Sequence, residues 1–359
     1  VLRSSNIKGY RGVYSRLVDY SSQKAKESAF LDKNDLYIAK QEDFSKIPGR
    51  PIAYWVSRPF QALFDLPSIT ETAKSCIGMR TGDNERFLRL WFEVSSEKIV
   101  FNAINATQVS EQLGKWVPYN KGGEYRKWYG NQDYVVNWEN NGLEIKENTR
   151  RVYPQLGDNL GWKISNEQFY FMEHLCWTDL TSRGLSFRWF GKGFIFDASA
   201  NVAFVETEQF YNVFGCVNTK GINMLAQVLN PTMHFKLGNF NSLPYKRCKN
   251  EKVESLVKTN ICLSKTDWDS IETSWDFIRH PFLVHQTDSS LLSDGYVSWK
   301  IFATHQFNQL KANEEELNSI FIESYGLQDE LKPEVEDKDV TIRKADLGRD
   351  VRSFISYAV

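Results

Sequence analysis

Across residues 69–244 the apolar side chains come in short aromatic runs cut apart by Gly and Asn. That is the pattern of brief strands and turns. Phe87-Leu88-Arg89-Leu90-Trp91-Phe92, Tyr134-Val135-Val136-Asn137-Trp138 and Gly193-Phe194-Ile195-Phe196 are examples. One amphipathic helix interrupts them, with Phe210, Val213, Phe214, Val217, Ile222, Leu225 and Val228 at helical spacing. The expectation is a mixed α/β (α+β) domain with mixed sheets.

The flanks read differently. Residues 10–40 carry β-like runs at 12–18 and 36–39 around a polar stretch, a hairpin too small to bury a core of its own. A boundary follows at Ile47-Pro48-Gly49-Arg50-Pro51, and Ile52, Trp55, Val56, Phe60, Leu63 and Phe64 then recur at near-helical spacing up to Pro67. Beyond residue 246 the chain reads as helical. Residues 310–325 form the clearest case: Asn313 stands as N-cap before Glu314, Glu315 and Glu316, and Gly326 follows as a left-handed cap. Leu347, Val351, Phe354, Ile355 and Ala358 make a last helical stripe. The expected division is therefore 1–48, 49–246 and 247–359. A start on Val1-Leu2-Arg3-Ser4 without Met, and an end on an apolar turn, suggest a piece of a longer protein.

With 359 residues, 42 % hydrophobic and 25 % charged, the chain has room for two or three packed units and is too apolar for disorder. No apolar stretch is long enough for a transmembrane helix, and no membrane partner is expected. Five scattered cysteines without a C-x-x-C pair argue for a reducing cytoplasm and against a disulfide scaffold or zinc ribbon. Five histidines show no H-E-x-x-H or i, i+4 pairing, so no metal is expected. The acidic cluster Asp267, Asp269, Glu272 and Asp276 reads as a solvated helix face. A net charge of -1 means that any affinity for nucleic acid rests on local clustering.

Two strings imitate a methyl-transfer site. Phe190-Gly191-Lys192-Gly193 has the glycines of a loop that approaches a nucleoside cofactor, but a strand follows at once where a helix is required, so a hairpin turn is expected. Asn230-Pro231-Thr232-Met233 imitates the Asn-Pro-Pro-aromatic clamp on a flipped adenine, but lacks the second proline and the ring. Neither carries the chemistry. No Ser-His-Asp or Cys-His set and no phosphate loop is visible.

Three strips do point to a polyanion. Residues 115–131 interleave Lys115, Lys121, Arg126 and Lys127 with Trp116, Tyr119, Tyr125, Trp128 and Tyr129 over Gly122-Gly123. Cations neutralise phosphates, while Arg and Asn can bond base edges. A twisted hairpin whose rings are half core is an equally good reading of that strip. The other two are Met79-Arg80-Thr81-Gly82-Asp83-Asn84-Glu85-Arg86 and Ser182-Arg183-Gly184-Leu185-Ser186-Phe187-Arg188. Three such strips in one basic, β-rich domain indicate a nucleic-acid surface.

The chain also resembles a known family. Pro51-Ile52-Ala53-Tyr54-Trp55-Val56-Ser57, Thr81-Gly82-Asp83-Asn84-Glu85-Arg86-Phe87 and Trp116-Val117-Pro118-Tyr119-Asn120-Lys121-Gly122-Gly123 look like the adenine-specific DNA methyltransferases of BREX (phage growth limitation) systems, the PglX family. So do Trp268-Asp269-Ser270-Ile271-Glu272-Thr273-Ser274-Trp275-Asp276-Phe277 and Val340-Thr341-Ile342-Arg343-Lys344-Ala345-Asp346-Leu347. Type IIG restriction-modification enzymes share parts of the pattern.

The resemblance implies a catalytic half, with its S-adenosylmethionine fold and Asn-Pro-Pro-Tyr motif, upstream of Val1. Residues 1–48 would be the tail of that domain, 49–246 the DNA target-recognition domain and 247–359 a helical spacer. No catalytic residue and no cofactor is expected in this chain; S-adenosylmethionine belongs to the full-length enzyme. The implied partners are double-stranded DNA, the missing catalytic domain and other phage-defence proteins. Lys121, Arg126, Lys127 and Arg188 are expected on phosphates, and Arg80, Asn84, Asn120 and Arg183 in a groove, with Arg86 and Lys192 on the same basic surface. Two other readings stay open: a carbohydrate-binding protein, which would set its rings beside paired carboxylates, and an interaction scaffold docking through the acidic stretch 314–339.

Overall fold

The computed structural model describes residue 7 and residues 9–180, 183–286 and 291–359. The start at Val1 and Ser182 of the third strip lie outside these residues. Strand β1 (Arg11–Ser15) pairs antiparallel with β2 (Leu36–Lys40), and helix α1 (Gln23–Leu31) fills the connection between them. The expected hairpin is present. Tyr14 stacks on Tyr54 at 4.8 Å, which fixes one face to residues 47–56, while Val13 and Ile38 stay exposed on the other.

The helix expected from Pro51 is shorter. Residues 51–57 are irregular, and α2 (Arg58–Ala62) begins only after Ser57, whose hydroxyl accepts from the Phe60 amide. Ser57 supplies the cap that Pro51 lacks.

Two four-stranded sheets follow, built from strands in the order β3 (Ala73–Cys76), α3 (Asn84–Phe87), β4 (Leu88–Leu90), α4 (Ala106–Glu111), β5 (Trp116–Asn120), β6 (Tyr134–Asn137), α5 (Glu139–Val152), β7 (His174–Thr178), β8 (Arg188–Phe190), β9 (Ile195–Phe196) and β10 (Ala200–Val205). The first sheet runs β3-β10-β7-β8 and is antiparallel throughout. The second runs β4-β6-β5-β9, with β5 and β9 parallel. Cys76, Cys176 and Val202 of one sheet share a core with Val117, Tyr119, Val136 and Ile195 of the other. On its far face the first sheet turns Ala73, Leu175, Trp177 and Ala203 toward helices. Strand β7 is therefore buried on both sides, which is why it shows no polar alternation. The turn at Gly191-Lys192-Gly193 does not close a hairpin: it carries the chain from the first sheet to the second. Gly193 sits against Asn102, where a Cβ would lie 2.6 Å from the backbone nitrogen.

The single helix expected over 210–228 is two, α6 (Phe210–Val217) and α7 (Lys220–Leu229), because Thr219 turns its hydroxyl to the Ile222 amide and starts a new one. After α8 (Leu237–Asn241) come α9 (Lys252–Asp269), α10 (Pro281–Val284), α11 (Leu292–Tyr325) and α12 (Leu347–Ala358). Asn313 is not an N-cap. It lies inside α11, where its side chain bonds Asn260 of α9 at 2.8 Å. Gly326 does end α11, at φ 70°.

The architecture is thus mixed α and β, as its class was read. Residue 246 marks no break in packing: one hydrophobic core joins Trp177, Phe214 and Leu225 to Val257, Leu310 and Phe321. No helix among the described residues is long and apolar enough to cross a membrane.

Candidate nucleic-acid interface

Strands β3, β5, β7 and β9 all end at one edge of the paired sheets, and the loops that leave them are laced together there. The Asp197 amide donates to Asn120 O at 2.8 Å, the Ala198 amide to Met79 O at 2.9 Å and the Asp179 amide to Ser199 O at 3.2 Å. The Asp197 carboxylate takes the Tyr119 hydroxyl at 2.8 Å and both the amide and hydroxyl of Ser199. Gly78 is needed for this approach, since a Cβ there would lie 1.9 Å from Phe196 O. The Arg80 amide donates to Lys163 O at 2.7 Å, which draws residues 158–166 onto the same edge. The C-terminal part of α5 joins them, with Asn148 beside Gly82 and Arg151 bonded to Asn148 at 2.7 Å.

This edge presents Arg80, Asn84, Arg151 and Arg183 as exposed side chains, with Lys121 and Lys163 half-buried. Lys163 Nζ lies 4.0 Å from the Tyr153 ring centre, and Trp162 beside it is 72 % exposed. Arg183 packs over Tyr125 and donates to Lys338 O. Among the described residues, Arg80, Lys121, Arg151 and Lys163 form no salt bridge. Their charge faces solvent uncompensated, as a phosphate-binding surface requires.

Four expected contacts are elsewhere occupied. Asn120 is buried: its amide donates to His174 Nε2 at 3.0 Å, and its oxygen accepts from the Gly122 amide and the Cys176 thiol. Burial pushes the His174 imidazole down to about 4, so the ring is neutral; its Nδ1–H donates to Met172 O. Arg188 is 0 % exposed and turns its two Nη groups to Glu124 O, Arg126 O and Thr178 Oγ1, and burial lowers its pKa. Arg126 and Lys127 form a seam with the helices. Arg126 Nη2 reaches Asp267 at 2.6 Å, and the other oxygen of that carboxylate accepts from Arg343 Nε at 3.1 Å. Lys127 Nζ meets Glu314 at 2.8 Å, and the Trp128 indole donates to the same carboxylate at 2.7 Å. Burial opposes the Lys127 charge, but Glu314 outweighs it and the pKa rises. The twisted-turn reading of residues 115–131 is the one realised from Arg126 onward.

Asp267 is correspondingly no part of a solvated face, and Asp269 and Asp276 both hold Lys265. Arg86 pairs with Glu144 near the other end of the second sheet, and Lys192 lies in the turn after β8, away from the strand-end loops. Sequence reading missed Trp162 and Lys163. The signal was there: Gly157-Asp158-Asn159-Leu160-Gly161-Trp162-Lys163 sets a ring beside a cation in a glycine loop.

Neither of the two look-alike strings forms the site that it imitates. The Gly191–Gly193 turn joins two strands, with Gly193 packed against Asn102, and Asn230 caps its own turn by accepting the Thr232 amide at 3.0 Å. Among the described residues no group of His, Cys, Asp and Glu is placed to hold a metal ion.

No family model matches the chain. Over 373 aligned residues it is 39 % identical to the adenine-specific methyltransferase PglX of Lacticaseibacillus casei (strain Zhang), covering 100 % of this chain and 30 % of that protein. It is 33 % identical to the adenine-specific methyltransferase BrxX of Escherichia coli O9:H4 (strain HS), covering 91 % of this chain and 26 % of that one. The chain is kin to a segment of these methyltransferases. It spans under a third of the length of PglX and of BrxX. The type IIL restriction-modification enzyme MmeI, solved in complex with DNA, superimposes with a TM-score of 0.41 at 10 % identity, over 81 % of this chain and 36 % of its own. At that level the likeness decides nothing about this segment of the PglX and BrxX kind.

Proposed function

We propose that this chain reads the DNA target for a site-specific N6-adenine methyltransferase of a BREX-like phage-defence system. One observation carries the reading. The loops leaving four strands, together with the end of α5 and the segment after it, gather Arg80, Lys121, Arg151, Lys163 and Arg183 on a single edge, and the first four of these lack carboxylate partners among the described residues. The kinship to PglX and BrxX supplies the reaction class.

On this edge the cations hold backbone phosphates and fix the register on the duplex. Asn84 and the exposed guanidinium groups of Arg80 and Arg151 supply the donors and acceptors that distinguish base edges in the major groove. Trp162 offers a face on which a base or sugar can pack. Methyl transfer itself, and the methyl donor, belong to a segment outside these residues, and the rest of a longer protein closes over the duplex from the opposite side.

The test is fluorescence anisotropy of the 359-residue chain with a duplex oligonucleotide over a salt series. Binding should weaken steeply with salt. Arg80→Ala, Arg151→Ala and Lys163→Ala should each reduce the slope of log K against log salt by about 1. Binding that ignores salt, or no binding by a chain whose circular dichroism shows it folded, overturns the reading.

A further inference from the structure

At the opposite edge of the sheets a cleft of about 400 Å³ opens between the mixed domain and the segment that follows α9. Its size suits a small ligand. Its walls are rings: Tyr129 and Trp189 at 6.1 Å from one another, and Phe101 and Phe194 at 5.2 and 5.9 Å from Trp275. Trp189 and Trp275 are only half-buried, so the ring faces remain open to an occupant.

Gln132 lines the cleft and is 3 % exposed. One end of its amide bonds the Tyr129 hydroxyl at 3.2 Å; the other has no partner among the described residues. An amide nitrogen left open in this way can donate to an occupant of the cleft. Asp276 holds Lys265 through one carboxylate oxygen, and the second oxygen has no hydrogen-bond partner among the described residues. At the mouth, Lys192 is exposed on its glycine turn and forms no ion pair among the described residues.

We propose that this cleft binds a nucleotide unit, with the base against Trp189 and Trp275, the base edge on Gln132 and Asp276, and the phosphate at Lys192. Flat faces, one neutral amide, one acceptor and a cation at the entrance match a planar heterocycle carrying an anion. A neutral sugar would leave Lys192 without a role, and a lipid would leave Gln132 unmatched. The unit is either a free mononucleotide or an unpaired base of a DNA strand. This inference goes beyond the DNA reading and stands apart from it, because none of Arg80, Lys121, Arg151, Lys163 and Arg183 lines the cleft.

Saturation-transfer NMR and calorimetry on the 359-residue chain test it, with the four common nucleoside monophosphates, their nucleosides, a single-stranded oligonucleotide, a duplex with one extrahelical base, and glucose. Saturable binding of at least one monophosphate or of the unpaired base is expected, and which of them binds tighter identifies the source. Lys192→Glu should weaken the monophosphate about tenfold and leave its nucleoside nearly unchanged. Gln132→Leu should weaken both, and Arg80→Ala neither. Lys192 sits on an exposed turn, so that variant stays informative if Gln132→Leu fails to fold. No saturable binding at millimolar ligand, equal binding by Lys192→Glu, or binding of glucose in place of nucleotides overturns the proposal. A chain that binds duplex DNA with the expected salt slope but no nucleotide would lose only this inference.

Discussion

Lys121 and Lys127 stand six residues apart in one cationic, aromatic run, yet they end in opposite circumstances. Lys121 is on the strand-end loops without a carboxylate partner among the described residues, while Lys127 is sealed between the mixed domain and α11 against Glu314. The same contrast separates Arg80 from Arg126. What differs is not the residue or its neighbours in sequence but a distant acid: Asp267 lies 141 positions from Arg126 and Glu314 lies 187 from Lys127. A cation whose partner comes from the far end of the chain is a fastener. One without such a partner is available to a ligand.

The sharpest way to break that comparison is to remove an acid from the seam. Glu314 is 3 % exposed and serves both Lys127 and the Trp128 indole. Glu314→Ala leaves a buried ammonium and a buried N–H unmatched, and should lower unfolding stability by about 3–5 kcal/mol in urea titrations. The double change Lys127→Met with Glu314→Leu should recover much of that loss. Arg80→Ala should stay within about 0.5 kcal/mol of the parent. An Arg80→Ala variant as unstable as Glu314→Ala would erase the distinction between fasteners and free cations.

A somewhat smaller effect separates the floor of the strand-end loops from the seam by pH. His174 supports Asn120 and stacks on Phe190 at 5.4 Å, and burial holds its pKa at about 4 against an ordinary 6.5. Below pH 6.5 the unfolded chain takes up a proton that the folded chain refuses until about pH 4. Stability from this group is therefore complete above pH 6.5 and falls as the pH drops through that window, by up to about 3 kcal/mol. His174→Gln should flatten the pH dependence of urea unfolding between pH 6.5 and 4. An unchanged slope would mean that the imidazole is not the group being titrated.

What the sequence revealed follows the same line between local and distant causes. The hairpin, the strands at residues 88–90, 134–137 and 195–196, the glycine cap at Gly326 and the final helix were legible because each depends on a few neighbouring residues. So was the resemblance to PglX, which rests on long runs of residues. Asn313 was misplaced because an Asn before three Glu has the local form of a cap, whereas its actual partner is Asn260 on another helix. The turn at Lys192 hid that its two strands belong to different sheets. Of the expected groove and phosphate residues, Arg80, Asn84, Lys121 and Arg183 stay on the surface at the strand-end edge, and only the sheet order explains why strips so far apart in sequence come to one side. Arg126, Lys127 and Arg188 were misread because nothing within a few residues of them announces burial.

The smallest expected effect is the most discriminating for position. Arg86 closes the strip that Arg80 opens, and composition gives no reason to treat them differently. In the structure Arg86 turns to Glu144 at 3.3 Å, and Lys115 pairs with Glu139 and Glu144 beside it, all with half-exposed side chains. A solvent-exposed pair of this kind contributes at most about 1 kcal/mol, so Arg86→Ala should barely move stability. It should also leave the salt slope of DNA binding unchanged, because its charge is already matched and lies away from the strand-end edge. Measured side by side with Arg80→Ala, the pair isolates location from charge count. An equal loss of slope for both variants would mean that the polyanion responds to net charge over the whole domain, and the edge defined by β3, β5, β7 and β9 would have no special part in holding it.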